Sequence, residues 1–317
     1  MAGTETNKIS LVRPTFVTYV HKDVDRACRF LDDFGLVRCG QTGDKFFYRG
    51  YGVDPWVYSV EKGDSNEFGG AGFVVESEQD LQRASRILPN ASEIHNLDSP
   101  GGGKCVTFRD PVDGFRFYLV CDQVLNDEPI FPSPQLKFNF PTNKFRFNET
   151  KRFEKGPAPV HKLGHFGLCV TNFDAFFEYF TTHFNFRPSD VRIIMDQLCN
   201  NHHANMPAQF IFNENGRNIT AFCRLDRGLI RVDHHCFFFF EGPKAHVHHA
   251  SFETYDYNIQ TIGHDWLRDR GFDPSGFIVE HYVDGDLFDN TVPVNRTRVG
   301  PDNLHIWGPE LPVTFMD

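Results

Sequence analysis

The chain carries the same order of signals twice. One copy opens on the strand-like "PTFVTYV" and closes on "KCVTFRDPVDGFRFYLV"; the other opens on "KLGHFGLCV" and closes on "FDPSGFIVEHY". Duplication on this scale constrains the fold more than any single motif, because each copy must bury its apolar faces with the same succession of elements. Between them, "NDEPIFPSPQLKFNFPTNKFRFNETKRFEKGPAPVHK" is rich in proline and charge and keeps neither a helical nor an alternating period, which predicts a linker.

Within the first copy, "KDVDRACRFLDDFGL" puts Val24, Ala27, Phe30, Leu31 and Phe34 on one helical face, with Gly35 as the stop. Short strands are expected at "DKFFYRG" and "PWVYSVE". "GAGFVVES" then leads into the helix "EQDLQRASRIL", and a DPxDG turn joins the last two strands. The second copy repeats this with a helix at "NFDAFFEYFTTHF" and strands near "QFIFN", "ITAFCRL" and "DHHCFFFF". There "VHHASFET" leads into the helix "YNIQTIGHDWLRDRG". A β-α-β-β-β unit used about four times predicts an α+β chain, its paired modules forming two half-open barrel domains. The expected divisions are residues 1–125, a linker at 126–159, a second domain at 160–291 and a tail at 292–317.

Composition narrows the partners. A formal charge of −10 argues against nucleic acid or an anionic membrane as the main partner. No apolar run approaches the ~18 residues of a membrane span, and the polar opening "MAGTETNKIS" does not read as a signal peptide. Eight cysteines without a CxxC, several in apolar runs, read as reduced thiols in a cytoplasmic protein. "SPGGGK" lacks phosphate-loop spacing and precedes a strand, so it reads as a turn.

Aligning the halves singles out three positions. Phe16 stands where His165 stands, Gly70 where His249 stands, and Tyr118 where Glu280 stands. Each pair has a bland residue in the first half and a metal-binding type in the second. A carboxylate beside Phe277, Ile278 and Val279 is costly unless protonated, paired or metal-bound. Two imidazoles and one carboxylate on successive strands make a facial triad suited to Fe(II) with open positions. The competing readings are a Glu280 paired with a base and a His165 bonded to backbone. His248 competes with His249, and strict alternation would let only one face the cleft; the shared pattern of "HFGL" and "HASF" selects His249.

"LGHFGL", "HHASFE" and "DPSGFIVEH" resemble the vicinal oxygen chelate superfamily, in particular its two-domain extradiol ring-cleaving dioxygenases of the catechol 2,3-dioxygenase type. The resemblance covers nearly the whole chain and is strongest from 160 to 290. It implies a metal-free first domain and, in the second, Fe(II) held by His165, His249 and Glu280, with Mn(II) or another divalent ion as alternatives. It also implies a small aromatic substrate with O2 as partners, and it is compatible with a homo-oligomer. The family's acid-base histidine falls on His235 rather than His234, against the competing reading of a solvent-facing histidine at a strand start.

The last module departs from the pattern. The family places two further strands, with a histidine and a tyrosine, before the final DPxG turn. Here only Phe272 separates Gly271 from Asp273, where two strands would need ~15 residues. Tyr255, Tyr257 and Tyr282 match no family position, and the last module is expected to be truncated. The tail, with His305 and Glu310, is a candidate replacement, although a surface turn is the better expectation for both. His161 is expected at the surface, and His202 and His203 in a loop. Two functions follow: an extradiol dioxygenase, or a metal-dependent isomerisation, cyclisation or lyase step without O2 on the same cradle. A metal-free binding protein is disfavoured by the triad.

Overall fold

In the computed structural model, residues 8–127, 139–148, 156–193, 218–255, 272–283 and 285–298 are described. The first half runs β1 (Leu11–His21), α1 (Val24–Phe34), β2 (Val37–Thr42), β3 (Lys45–Arg49), β4 (Tyr58–Lys62), β5 (Glu67–Val75), α2 (Glu78–Ile87), β6 (His95–Asn96), β7 (Lys104–Arg109) and β8 (Arg116–Cys121). The second runs β9 (Val160–Val170), α3 (Phe173–His183), β10 (Phe186–Ile193), β11 (Asn218–Leu225), β12 (Val232–Asp233), β13 (Phe237–Glu241), β14 (His246–Thr254), β15 (Ile278–Tyr282), β16 (Leu287–Phe288) and β17 (Asn295–Arg298). No helix among the described residues is long and apolar enough to cross a membrane.

The helices form where the apolar spacing asks for them. α1 buries Ala27, Phe30, Leu31 and Phe34, is capped by the Asp23 side chain accepting from Arg26 N, and stops at Gly35. Gly35 sits at φ 100°, and a Cβ there would collide with the Ala158 carbonyl, so the stop signal also admits the incoming second half. α3 starts on Asn172, whose side chain accepts from Ala175 N, and buries Phe173, Phe176, Tyr179 and Phe180.

Each half makes one sheet. The first has the order β2-β3-β4-β1-β5-β8-β7-β6, the second β15-β14-β9-β13-β11-β10-β17. Six strands correspond one to one: β10, β11, β13, β9, β14 and β15 repeat β2, β3, β4, β1, β5 and β8. This is the expected α+β architecture of repeated modules. β7 and β6 have no counterparts among the described residues, of which β15 is the last strand on that side of the sheet. β17 instead pairs parallel with β10 on the opposite edge, so this part of the tail does not fill the gap and the second sheet extends past residue 291. The predicted strand "QFIFN", the helix "YNIQTIGHDWLRDRG", His202, His203, His305 and Glu310 lie outside the described residues.

The apolar core is continuous between the halves. The Phe73 ring meets Phe166, Phe186 and Phe237 at 5.5–6.3 Å, and His281 stacks on Phe34 at 3.7 Å while its Nε2 bonds the Phe34 carbonyl. Burying a large apolar side chain contributes ~1.5–3 kcal/mol, so phenylalanines at these positions bind the two sheets firmly. The DPxG turns are built alike. Asp110 accepts from the backbone of Val112, Asp113 and Phe115, and Asp273 from Ser275 and Phe277.

Candidate metal centre

Strand pairing places the three aligned residues on one face. Ser251 of β14 is in register with His165 of β9 and with Glu280 of β15, and His249 lies two residues back along β14. Residues opposite each other, or two apart, share a face. One ligand atom from each of His165, His249 and Glu280 lies within 4.8 Å of the other two. The His249 Nε2–Glu280 Oε2 distance is 3.9 Å, and the two imidazoles are 5.1 Å apart at 80°. Donor bonds of ~2.0–2.2 Å put atoms this close within reach of a single divalent ion.

The glycines of "LGHFGL" clear the space for this cluster. A Cβ at Gly164 would collide with the Tyr282 hydroxyl, and one at Gly167 would stand 2.6 Å from His249 Cε1. The first half has no such opening. Its equivalent face is closed by Phe16 stacked on Trp56 at 3.8 Å, with Phe47, Cys105 and Val120 around them. The registers Phe16↔Gly72 and Gly72↔Tyr118 match His165↔Ser251 and Ser251↔Glu280, so the halves align as the sequence suggested.

Burial sets the charge states. It pushes His165 well below its ordinary value, with neighbouring imidazoles adding to the effect, and lowers His249 to about 3. Both rings are therefore neutral and offer a lone pair, as a metal ligand requires. Burial raises Glu280, against the opposing influence of His248 and the Ser251 hydroxyl. Among the described residues it lies 3.9 Å from the neutral His249 ring and is paired with no lysine or arginine. The chemistry and spacing of this set fit a divalent cation.

The structure corrects three expectations. Alternation does not separate His248 from His249, because the ladder slips between Val247 and His249 and the bulge turns both rings toward Phe238, at 6.0 and 5.7 Å. The two Nδ1 atoms are 2.7 Å apart, so His248 touches the cluster through His249. Tyr282, set aside in sequence because it matches no family position, stands 5.6 Å from the His165 ring. Its signal was its place two residues after Glu280 on the same strand face. His161 is half-buried rather than superficial, and its Nδ1 is 2.5 Å from the Tyr255 hydroxyl.

His235 is brought to the cluster. Its ring lies 4.2 Å from His165 and against Phe222, and burial, aided by His234 and His249, lowers it to about 3. It is half-buried and packed between these rings. Its Nδ1 is 3.0 Å from His234 Nδ1, and His234 Nε2 is 2.7 Å from Asp190 Oδ2.

No family model matches the chain, and no curated protein matches it in sequence. Solved structures match nearly throughout. A Mn(II)-bound glyoxalase from Novosphingobium aromaticivorans aligns with TM-score 0.69 at 19% identity, covering 95% of this chain and 94% of that one. Homoprotocatechuate 2,3-dioxygenase from Brevibacterium fuscum, in an anaerobic complex with 3,4-dihydroxyphenylacetate, aligns with TM-score 0.72 at 14% identity, covering 100% and 95%. The chain has the vicinal oxygen chelate fold. The 2,3-dioxygenase LapB from Pseudomonas sp. KL28 shares that fold with TM-score 0.66 at 15% identity, covering 91% and 97%. Among the described residues the candidate ligands all lie on the second sheet.

Proposed function

We propose that the protein is a non-haem Fe(II)-dependent extradiol dioxygenase that cleaves a catechol-like aromatic beside its diol, using O2. The observation that carries this reading is the trio of two neutral imidazoles, His165 and His249, and the Glu280 carboxyl group, with a further neutral imidazole, His235, packed 4.2 Å from His165. The two dioxygenases of the same fold support it. Bound Fe(II) would supply a Lewis acid for the two catechol oxygens and a redox path to O2. His165, His249 and Glu280 would hold it on one side and leave the opposite side for substrate.

The chain's own residues provide the rest. His235, neutral and half-buried, takes a catechol proton at a ring nitrogen and can return it as the ring opens. Phe222 packs edge-on against His235, and Phe238 lies beside His249; both keep water from these imidazoles, which strengthens each fixed dipole. The Tyr282 hydroxyl, above Gly164, is a further donor at the rim. We take residues 1–125 and 160–291 as the two domains, and a reducing, cytoplasmic setting suits the seven described cysteines, all free.

A second reading keeps the cradle but runs an isomerisation, cyclisation or lyase step without O2. The Mn(II)-bound glyoxalase of the same fold favours it. The deciding experiment is anaerobic loading with Fe(II), then 3,4-dihydroxyphenylacetate and a panel of other catechols, then air. O2 uptake with a yellow ring-opened product is the expected result. Turnover in the absence of O2 would replace the dioxygenase reading with the second, and failure to retain one divalent ion per chain would remove both.

A further inference from the structure

We propose that Asp190 and His234 are positioning residues that fix which nitrogen of His235 carries its proton. The chain of contacts has a definite polarity. A carboxylate can only accept, so the 2.7 Å contact with Asp190 Oδ2 puts a hydrogen on His234 Nε2. In a neutral ring the other nitrogen is then bare. His234 Nδ1 therefore accepts from His235 Nδ1–H across 3.0 Å, and His235 Nε2 is left with its lone pair. That is the nitrogen able to take a substrate proton, so this inference rests on the reading of His235 given above.

The surroundings hold the relay in place. Asp190 also accepts from Asn295 Nδ2 at 2.6 Å, and β17 brings Asn295 into register with it. The His234 carbonyl accepts from Ser189 Oγ at 2.5 Å, and Ser189 Oγ accepts in turn from Arg224 Nη1 at 2.8 Å. Arg224 is itself fully buried and donates to the Val292 carbonyl. Strand β17, which repeats nothing in the first sheet, thus has a local role: it braces the acid.

The duplicated half is an internal control. Val17↔Tyr58 and Phe166↔Phe237 are equivalent pairs, so Trp56 stands where His235 stands and Pro55 where His234 stands. Gly40↔Phe47 and Asp190↔Phe222 are likewise equivalent, each just after a register slip, in β2 and in β10. Gly40, Pro55 and Trp56 cannot relay a proton or set a tautomer. Relay and ligand trio occur together in one half, and neither occurs in the other.

Histidine tautomers are read directly by two-bond nitrogen–proton couplings in the full chain, labelled with nitrogen-15 histidine and loaded with Zn(II). The His235 signal is assigned by its loss in His235→Gln. The expected result is Nδ1–H on His235 in the unmodified protein. It should be kept in His234→Gln, whose amide can accept from His235 and donate to Asp190, and lost in His234→Leu. With 3,4-dihydroxyphenylacetate and Fe(II), His234→Leu should lower kcat about 10²-fold with little change in KM, and His234→Gln should lower it less. An Nε2–H tautomer in the unmodified protein, or a tautomer unchanged in His234→Leu, would overturn the inference. The spectrum does not depend on turnover, so the relay stands or falls separately from the dioxygenase reading.

Discussion

At the scale of single residues, the candidate site depends on small side chains as much as on its candidate ligands. Gly167 leaves room for the His249 ring, and an added Cβ would stand 2.6 Å from it. Gly167→Ala should therefore rotate the imidazole off the cluster and weaken divalent-ion affinity by about 10–100-fold, the range seen when ligand orientation is lost. Isothermal titration with Fe(II) or Zn(II) checks this, and affinity equal to the unmodified protein would show that the glycine does not position the ring. The trio itself was legible because each member occupies a position whose first-half counterpart has no metal chemistry. His248 and Tyr282 were not. The first is turned inward by a bulge, and bulges leave little trace in a pattern of alternating residues. The second was judged by family position when its strand face was the better guide. Asp190 could not be found at all, since nothing near it in sequence points to His234.

At the scale of elements, the two DPxG turns are the clearest repeat. Asp273 accepts backbone hydrogens from Ser275 and Phe277 at 2.8 and 2.9 Å, and this turn aims β15, and with it Glu280, at the cluster. Asp273→Ala should cost about 1–3 kcal/mol, because buried N–H groups lose their acceptor; urea unfolding with an unchanged m-value would be the measure. Asn172→Ala at the start of α3 should cost about 1 kcal/mol by the same measure, through loss of its cap on Ala175 N. Helices α1, α2 and α3 were legible because their apolar spacing and caps agree. Strands β2 and β10 were missed in both halves. Each is a polar, slipped strand near a sheet edge, whose pairing is decided by its neighbour and not by its own period.

At the scale of the whole molecule, metal and protons are linked to stability. Zn(II) at 100 times its dissociation constant should add about 2.7 kcal/mol, raising Tm in the unmodified protein but not in His165→Ala or Glu280→Ala. Acid should act the other way. His21 is fully buried between Ser275 and Tyr58 and is pushed down to about 4 by burial; His281 is lowered to about 4 mainly by burial. Their neutral forms belong to the fold, so their contribution is complete above pH ~6.5 and is lost as pH falls through about 4. Asp273, raised to about 6 by burial, opposes this, contributing most at low pH and losing it as pH rises through about 6. Two histidines against one carboxyl predict a net loss of stability on acidification, and His21→Gln should flatten the slope seen by denaturant titration across this range. The sequence by itself determined the duplication, helices α1, α2 and α3 and which half holds the trio, because these are written in local periodicity and in differences between aligned copies. Only the tertiary structure decided that β17 braces the far side of the second sheet, and that Asp190, His234 and His235 line up behind His165. Those outcomes depend on register and bulges between strands distant in the chain, where contact is set by geometry that no local pattern encodes.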